Sequence, residues 1–249
     1  MKNRTMRIGN VSINDDSDCY VIAELGHNHQ GDLELAKKMI SAAASAGVDA
    51  VKLQKRSNAD LFTKAYYDKP YQSENSYGAT YGEHREFLEF GRSEYVELRD
   101  FSKSLGVHFF ATAFDFASAD FLAELDVPAF KLASGDLTNI PLIKHVASFG
   151  KPIILSTGGG SIEDVDRVVE CLSAFSVDFC VMQCTAGYPP TWEELNLKVI
   201  ETFRDRYKDI VVGLSSHDNG ISMALVGFVL GARVVEKHFT LNRTFKGTD

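Results

Sequence analysis

The sequence predicts an α/β fold, a (β/α)8 TIM barrel, and three observations predict it. Short apolar runs alternate with amphipathic helical stretches along the chain, the pattern of parallel strands joined by crossover helices. Roughly eight such runs can be counted, the number with which a parallel barrel closes. Almost every run ends in a polar residue able to do chemistry: Glu24, Lys52 with Gln54, Thr112, Lys131, Ser156, Ser215 and His238. Closed parallel barrels collect their active groups at those C-terminal strand ends. The rival, an open doubly wound sheet, carries a glycine fingerprint after its first strand, and Gly26 to Gly31 does not match GxGxxG.

The elements follow in order. Met6 to Ile8 and Val11 to Ile13, separated by Gly9-Asn10, read as a small hairpin suited to plug the barrel bottom. Tyr20 to Ala23 is the first barrel strand, and Asp32 caps a helix from Leu33 to Ala46 that Gly47 closes. Further strands are expected at Ala50 to Leu53, Val107 to Ala111, Ala129 to Leu132, Pro152 to Leu155, Phe179 to Met182, Val211 to Leu214 and Val234 to Glu236. Helices are expected at Glu94 to Leu105, Ala117 to Leu125, Pro141 to Phe149, Ile162 to Phe175, Glu194 to Tyr207 and Ile221 to Leu230. Lys55 to Gly91 is far longer than an ordinary βα connection, and its tyrosines at 66, 67, 71, 77 and 81 predict a packed lid. The chain stops soon after the last strand, which predicts a barrel truncated before or within its last helix.

The 249 residues suffice for one sizeable core, and the formal net charge of -8 argues against a nucleic-acid or anionic-membrane partner. No secretory signal begins the chain and no apolar run reaches the ~20 residues of a membrane span, so a cytoplasmic location is expected. Cys19, Cys171, Cys180 and Cys184 lack metal-ligand spacing and read as reduced thiols.

Lys52 and Lys131 sit in otherwise apolar strands. A lysine there is either paired with a neighbouring carboxylate or waiting for an anionic substrate, and the sequence favours the substrate. Ser134-Gly135, Ser156-Thr157-Gly158 and Ser215-Ser216 place hydroxyls and glycine-freed N–H groups at strand ends, suited to phosphate or carboxylate oxygens. His217 and His238 follow consecutive strands, where two imidazoles suit manganese or zinc, and Glu24 lies on the strand that closure brings next to the last. Asn28 and His29 follow the first strand and either line the same mouth or shape the turn, while His27 and His84 carry weaker signals. Tyr188, before two prolines, is aimed inward or packs.

Along the chain stand IAELGHNHQGD (22–32), VKLQ (51–54), TYGEHREFLEF (80–90), FKLASGD (130–136), KPIILSTG (151–158), QCTAGYP (183–189), GLSSHDNGI (213–221) and EKHFTLNRTFKGTD (236–249). These segments resemble the sialic acid synthases, which condense phosphoenolpyruvate with an N-acetylated sugar. The resemblance implies phosphoenolpyruvate contacts at Lys52, Thr112, Lys131, Ser134, Ser156 and Ser215. It implies manganese ligands at His217 and His238, with magnesium or cobalt as alternatives, and a carboxylate at Glu24 near the reacting carbons. It also implies sugar-facing positions at Gln54, Asp136, Tyr188 and Asp249. Catalysis then falls to Glu24, Lys52, Lys131, His217 and His238. Ala186 and Gly187 replace a polar sugar contact common in relatives, and Ser216 replaces an aspartate beside the metal histidine. The family also implies a homodimer at full length and a C-terminal antifreeze-like domain, which residues 1–249 do not include. The expected reaction joins phosphoenolpyruvate to an N-acetylmannosamine-type sugar, free or 6-phosphorylated, with phosphate released. Legionaminate or pseudaminate synthesis on the same fold, a Schiff-base aldolase using Lys131, and an inactive sugar-binding barrel are the alternatives.

Overall fold

The structure, a computed structural model, describes residues 4–247. It opens with β1 (Thr5–Ile8) and β2 (Val11–Asn14), paired antiparallel with Ile8 opposite Val11. Eight strands follow: β3 (Tyr20–Gly26), β4 (Ala50–Lys55), β5 (His108–Ala113), β6 (Phe130–Leu132), β7 (Ile153–Ser156), β8 (Phe179–Cys184), β9 (Val211–Ser216) and β10 (Val234–His238). They form a closed parallel barrel in the order β10-β3-β4-β5-β6-β7-β8-β9, the predicted fold. The helices are α1 (Leu33–Ser45), α2 (Asn58–Leu61), α3 (Lys64–Tyr67), α4 (Tyr81–Leu88), α5 (Arg92–Ser104), α6 (Phe116–Glu124), α7 (Ile140–Ala147), α8 (Ile162–Ser173), α9 (Val199–Arg206) and α10 (Ser222–Val229). Among the described residues, no helix is long and apolar enough to cross a membrane. None of the four cysteines forms a disulfide, and burial pushes the Cys180 thiol well above its ordinary range.

Residue contacts divide the chain into two compact units. The first comprises Met1–Ile22 and Pro128–Lys237. Its hairpin buries Met6, Ile8 and Ile13. The Arg7 N–H donates to Asp178 just before β8 (3.0 Å), and Arg233 just before β10 donates twice to the Asp15 carbonyl (2.8 and 3.0 Å). The hairpin thus lies at the N-terminal ends of these strands, where the sequence placed it. Helix α9 is shorter than expected. Glu194 accepts from the Thr191 N–H (2.8 Å) and Asn196 adopts φ 46°, so this stretch forms a turn and the helix begins only at Val199.

The second unit comprises Ala23–Val127 and His238–Asp249. Asp32 accepts from the N–H groups of Glu34 and Leu35 (2.8 and 3.0 Å) and caps α1 as expected. The long insert after β4 folds into α2, α3 and α4. Thr80 and Glu83 form a capping box at the start of α4. The Tyr81 ring is the centre of an aromatic cluster with Phe62, Tyr66 and Tyr71, at centroid distances of 5.2, 4.8 and 5.5 Å. The tyrosines pack, as predicted.

Candidate functional site

In the second unit, Glu24, Lys52 and Thr112 come from three consecutive barrel strands, and each is about 2% exposed. Lys52 Nζ lies 2.5 Å from Glu24 Oε2 and donates to Thr112 Oγ1 at 2.6 Å. Gln54, two residues further along the same face of β4, donates from Nε2 to Glu24 Oε1 (2.8 Å). Strand alternation produces this set, because residues two apart share a face. The Phe239 N–H donates to the Glu24 carbonyl (2.8 Å), joining the segment after β10 to β3.

In the first unit, Lys131 is buried on β6 with its Nζ 3.6 Å from Glu236 Oε1 on β10. Ser156 ends β7 with its Oγ buried and making no hydrogen bond among the described residues. A buried hydroxyl without a partner costs about 1–3 kcal/mol, so its presence at a strand end points to a ligand oxygen. Ser134 Oγ accepts from the Gly158 N–H (2.9 Å), which ties the turn after β6 to the turn after β7. Ser215 is buried near the end of β9. Asp136 accepts from Asn139 Nδ2 (3.2 Å) within its own turn.

His217 follows β9, with its Nδ1 2.9 Å from the Thr185 carbonyl and its ring centroid 4.0 Å from that of Tyr188. A carbonyl at Nδ1 holds the proton there and leaves the Nε2 lone pair for a metal, the usual arrangement of a ligating histidine. The register of β10 on β9 runs to Lys237 opposite Ser216, so His217 and His238 each follow the last paired residue. Among the described residues, no group of three or more His, Cys, Asp or Glu is gathered to hold a metal ion. His217, with its Nδ1 at the Thr185 carbonyl, has the chemistry of a metal ligand. Asp249 lies outside the described residues.

Of the two readings weighed for Lys52 and Lys131, the paired one describes their surroundings, since each lies beside a buried carboxylate. Glu24 and Glu236 are remote in sequence from the lysines they meet, so the pairing exists only once the strands are arranged. His29 stacks on Phe90 at 4.2 Å and accepts from the Gly31 N–H (3.1 Å), while Asn28 Nδ2 donates to the Phe239 carbonyl (3.0 Å).

Sequence reasoning passed over Glu236, although a glutamate alternating with His238 in an apolar strand was a legible signal. It also passed over Asp218, which accepts from Lys237 Nζ (2.6 Å) and from the Ser216 hydroxyl. Glu89 went unnoticed as well. It lies 3.1 Å from Lys55 Nζ and 3.7 Å from His27 Nε2, and although burial pushes its pKa up, His27 and Lys55 hold it below the ordinary carboxylate range.

The sequence matches the NeuB family over residues 39–249. It is 40% identical over 231 residues to the human N-acetylneuraminate-9-phosphate synthase, covering 93% of this chain and 64% of that protein. It is 36% identical over 237 residues to N,N'-diacetyllegionaminic acid synthase of Legionella pneumophila, covering 93% of this chain and 66% of that protein. The fold superimposes on the N-acetylneuraminic acid synthetase of Leptospira borgpetersenii, in complex with citrate, with a TM-score of 0.88 and 31% identity, covering 98% of this chain and 81% of that one. The chain thus spans somewhat less than two thirds of the human relative's length. With the predicted barrel, strand-end residues in the expected order and matches across nearly its whole length, the chain belongs to the NeuB family, the sialic acid synthase family.

Proposed function

We propose that the protein condenses phosphoenolpyruvate with an N-acetylmannosamine-type sugar, free or 6-phosphorylated, to a nine-carbon sialic acid with release of phosphate. The observation that carries this reading is a pair of buried lysines, each beside a buried carboxylate at a strand end, in a chain of this family. Lys52 and Lys131 bind the carboxylate and phosphate of phosphoenolpyruvate, with Thr112, Ser134, Ser156 and Ser215 as hydroxyl contacts. An anion arriving at Lys52 competes with Glu24 for the same ammonium. Glu24, loosened from that pair, takes a proton from the water that adds at C2 after C3 has joined the acceptor's aldehyde. The tetrahedral centre so formed then expels phosphate. A divalent ion, Mn²⁺ first and Mg²⁺ or Co²⁺ after it, held by His217 and His238, would supply Lewis-acid polarisation of that aldehyde. Gln54, Asp136, Tyr188 and Asp249 are the proposed sugar contacts.

An ammonium beside a carboxylate, as Lys131 is, suits charge binding better than Schiff-base attack, which sets the aldolase reading behind this one. The test gives the full-length protein Mn²⁺, phosphoenolpyruvate and N-acetylmannosamine or its 6-phosphate, and measures phosphate and keto acid. Stoichiometric release of both is expected, while no turnover with any N-acyl amino sugar removes the reading. His217→Ala and His238→Ala should each lower kcat at least a hundredfold. Wild-type activity in both variants would sink the metal assignment.

A further inference from the structure

The hydrogen-bonded register of β10 on β9 ends with Lys237 opposite Ser216. The next residue along each strand is one of the two histidines assigned above to a divalent ion, His217 after Ser216 and His238 after Lys237. Beyond that last backbone pair, a side-chain group continues the connection. Lys237 Nζ donates to Asp218 Oδ1 at 2.6 Å and to the Asp218 carbonyl at 2.9 Å. The Ser216 hydroxyl donates to the same Oδ1. A single ammonium therefore grips both the main chain and the side chain of the residue that follows His217.

Alternation along β10 puts Glu236 and His238 on one face and Lys237 on the other. Glu236 meets Lys131 at 3.6 Å, so Lys237 points away from the side that carries that buried pair. Asp218 and Ser216 are buried and join Lys237 there. The three residues thus act on the histidines through the main chain. The His217 ring is already held by the Thr185 carbonyl at Nδ1 and by the Tyr188 ring, and Lys237 holds the backbone that carries it. Stability is a poor account of this group. Asp218 Oδ2 is buried with no hydrogen bond among the described residues, and an apolar pair of similar volume stabilises a fold at least as well as a buried ion pair.

We propose that Asp218 and Lys237 are positioning residues for the divalent-cation site: their ion pair, braced by Ser216, fixes the main chain at His217 and His238 so that both imidazoles reach one cation. The inference rests on the two-histidine assignment made under the synthase reading. Groups that orient ligating histidines from behind contribute roughly tenfold to a hundredfold in metal affinity.

The experiment measures Mn²⁺ binding to the full-length protein by electron paramagnetic resonance of the free ion, with thermal melting of the same samples. Wild type is compared with Asp218→Asn, Lys237→Met, Lys237→Arg and the double variant Asp218→Leu/Lys237→Met. Asp218→Asn and Lys237→Met should each weaken Mn²⁺ binding roughly tenfold to a hundredfold, and Lys237→Arg, which keeps the charge, should recover most of the loss. The double variant removes both charges, so it should melt above Lys237→Met while its Mn²⁺ binding stays weak, a separation that a purely structural ion pair does not give. Phosphoenolpyruvate binding in the absence of metal, read by calorimetry, should stay unchanged. Wild-type Mn²⁺ affinity in both single variants or in the double variant overturns the positioning role and leaves the metal assignment standing. A parallel loss of phosphoenolpyruvate binding also overturns it, because it marks a general loosening of the strand ends. A wild type that binds Mn²⁺ no better than a His217→Ala/His238→Ala variant overturns the metal assignment and the positioning role together.

Discussion

At the scale of single residues, the Lys52–Glu24 pair is buried against its own desolvation cost. Both groups are about 2% exposed, and buried ion pairs of this kind contribute little net stability although breaking one is costly. Lys52→Met should therefore destabilise the protein by about 3–5 kcal/mol, because Glu24 is left as an uncompensated buried charge. Adding Glu24→Leu should restore most of that loss in denaturant unfolding while phosphate release stays abolished. A double variant as unstable as the single one contradicts the ion-pair account. Ser156 makes the opposite case. Its Oγ is buried with no hydrogen bond among the described residues, so Ser156→Ala should leave stability unchanged or raise it by up to about 1 kcal/mol. The same change should weaken phosphoenolpyruvate binding in calorimetry. A variant that loses stability and keeps full affinity would return the serine to a packing role.

At the scale of elements, the insert after β4 is where local sequence and long-range structure meet. Its aromatic content announced a packed segment, whereas the capping box of α4, Thr80 with Glu83, was a local signal that the sequence reading passed over. Its contacts were not legible. The Tyr77 hydroxyl donates to the Lys246 carbonyl (2.9 Å) and the Gly247 N–H donates to Asn75 (3.1 Å), which joins the insert to the end of the described chain. Nothing local to either segment encodes that meeting. His84 accepts from the Tyr77 N–H (3.2 Å), which requires an unprotonated ring, and burial with the neighbouring cations lowers its pKa from 6.5 to about 4. The unfolded chain binds this proton below about pH 6.5 and the folded chain only near pH 4. The insert should thus be most stable above pH 6.5 and lose stability as pH falls from 6.5 towards 4. Hydrogen exchange of residues 62–90 at pH 7 and pH 5 measures this. His84→Gln, which keeps an acceptor and removes the proton, should flatten the difference, and an unchanged pH response in the variant would assign it to other groups.

At the scale of the whole molecule, the strands were legible because a parallel strand buried on both faces leaves an apolar run, and the polar residue at its end interrupts that run visibly. Glu24, Lys52, Thr112, Lys131, Ser156 and Ser215 were all found in this way, each from its own short segment. Helix starts were equally local, since Asp32 and Ser161 act within one turn of themselves. The failures were of another kind. The α9 start was misread because a turn stabilised by Glu194 has the same composition as a helix. His27, Arg56 and Arg85 lie on three separate segments, and their meeting exists only once those segments fold together. The sequence by itself determined the barrel, the order of its strands and the chemical character of each strand end, because hydrophobic alternation and capping act over a few residues. Only the tertiary structure decided which carboxylate meets which lysine and where the arginines gather. Charge acts through space, and distance in space is settled by how the strands and the insert pack.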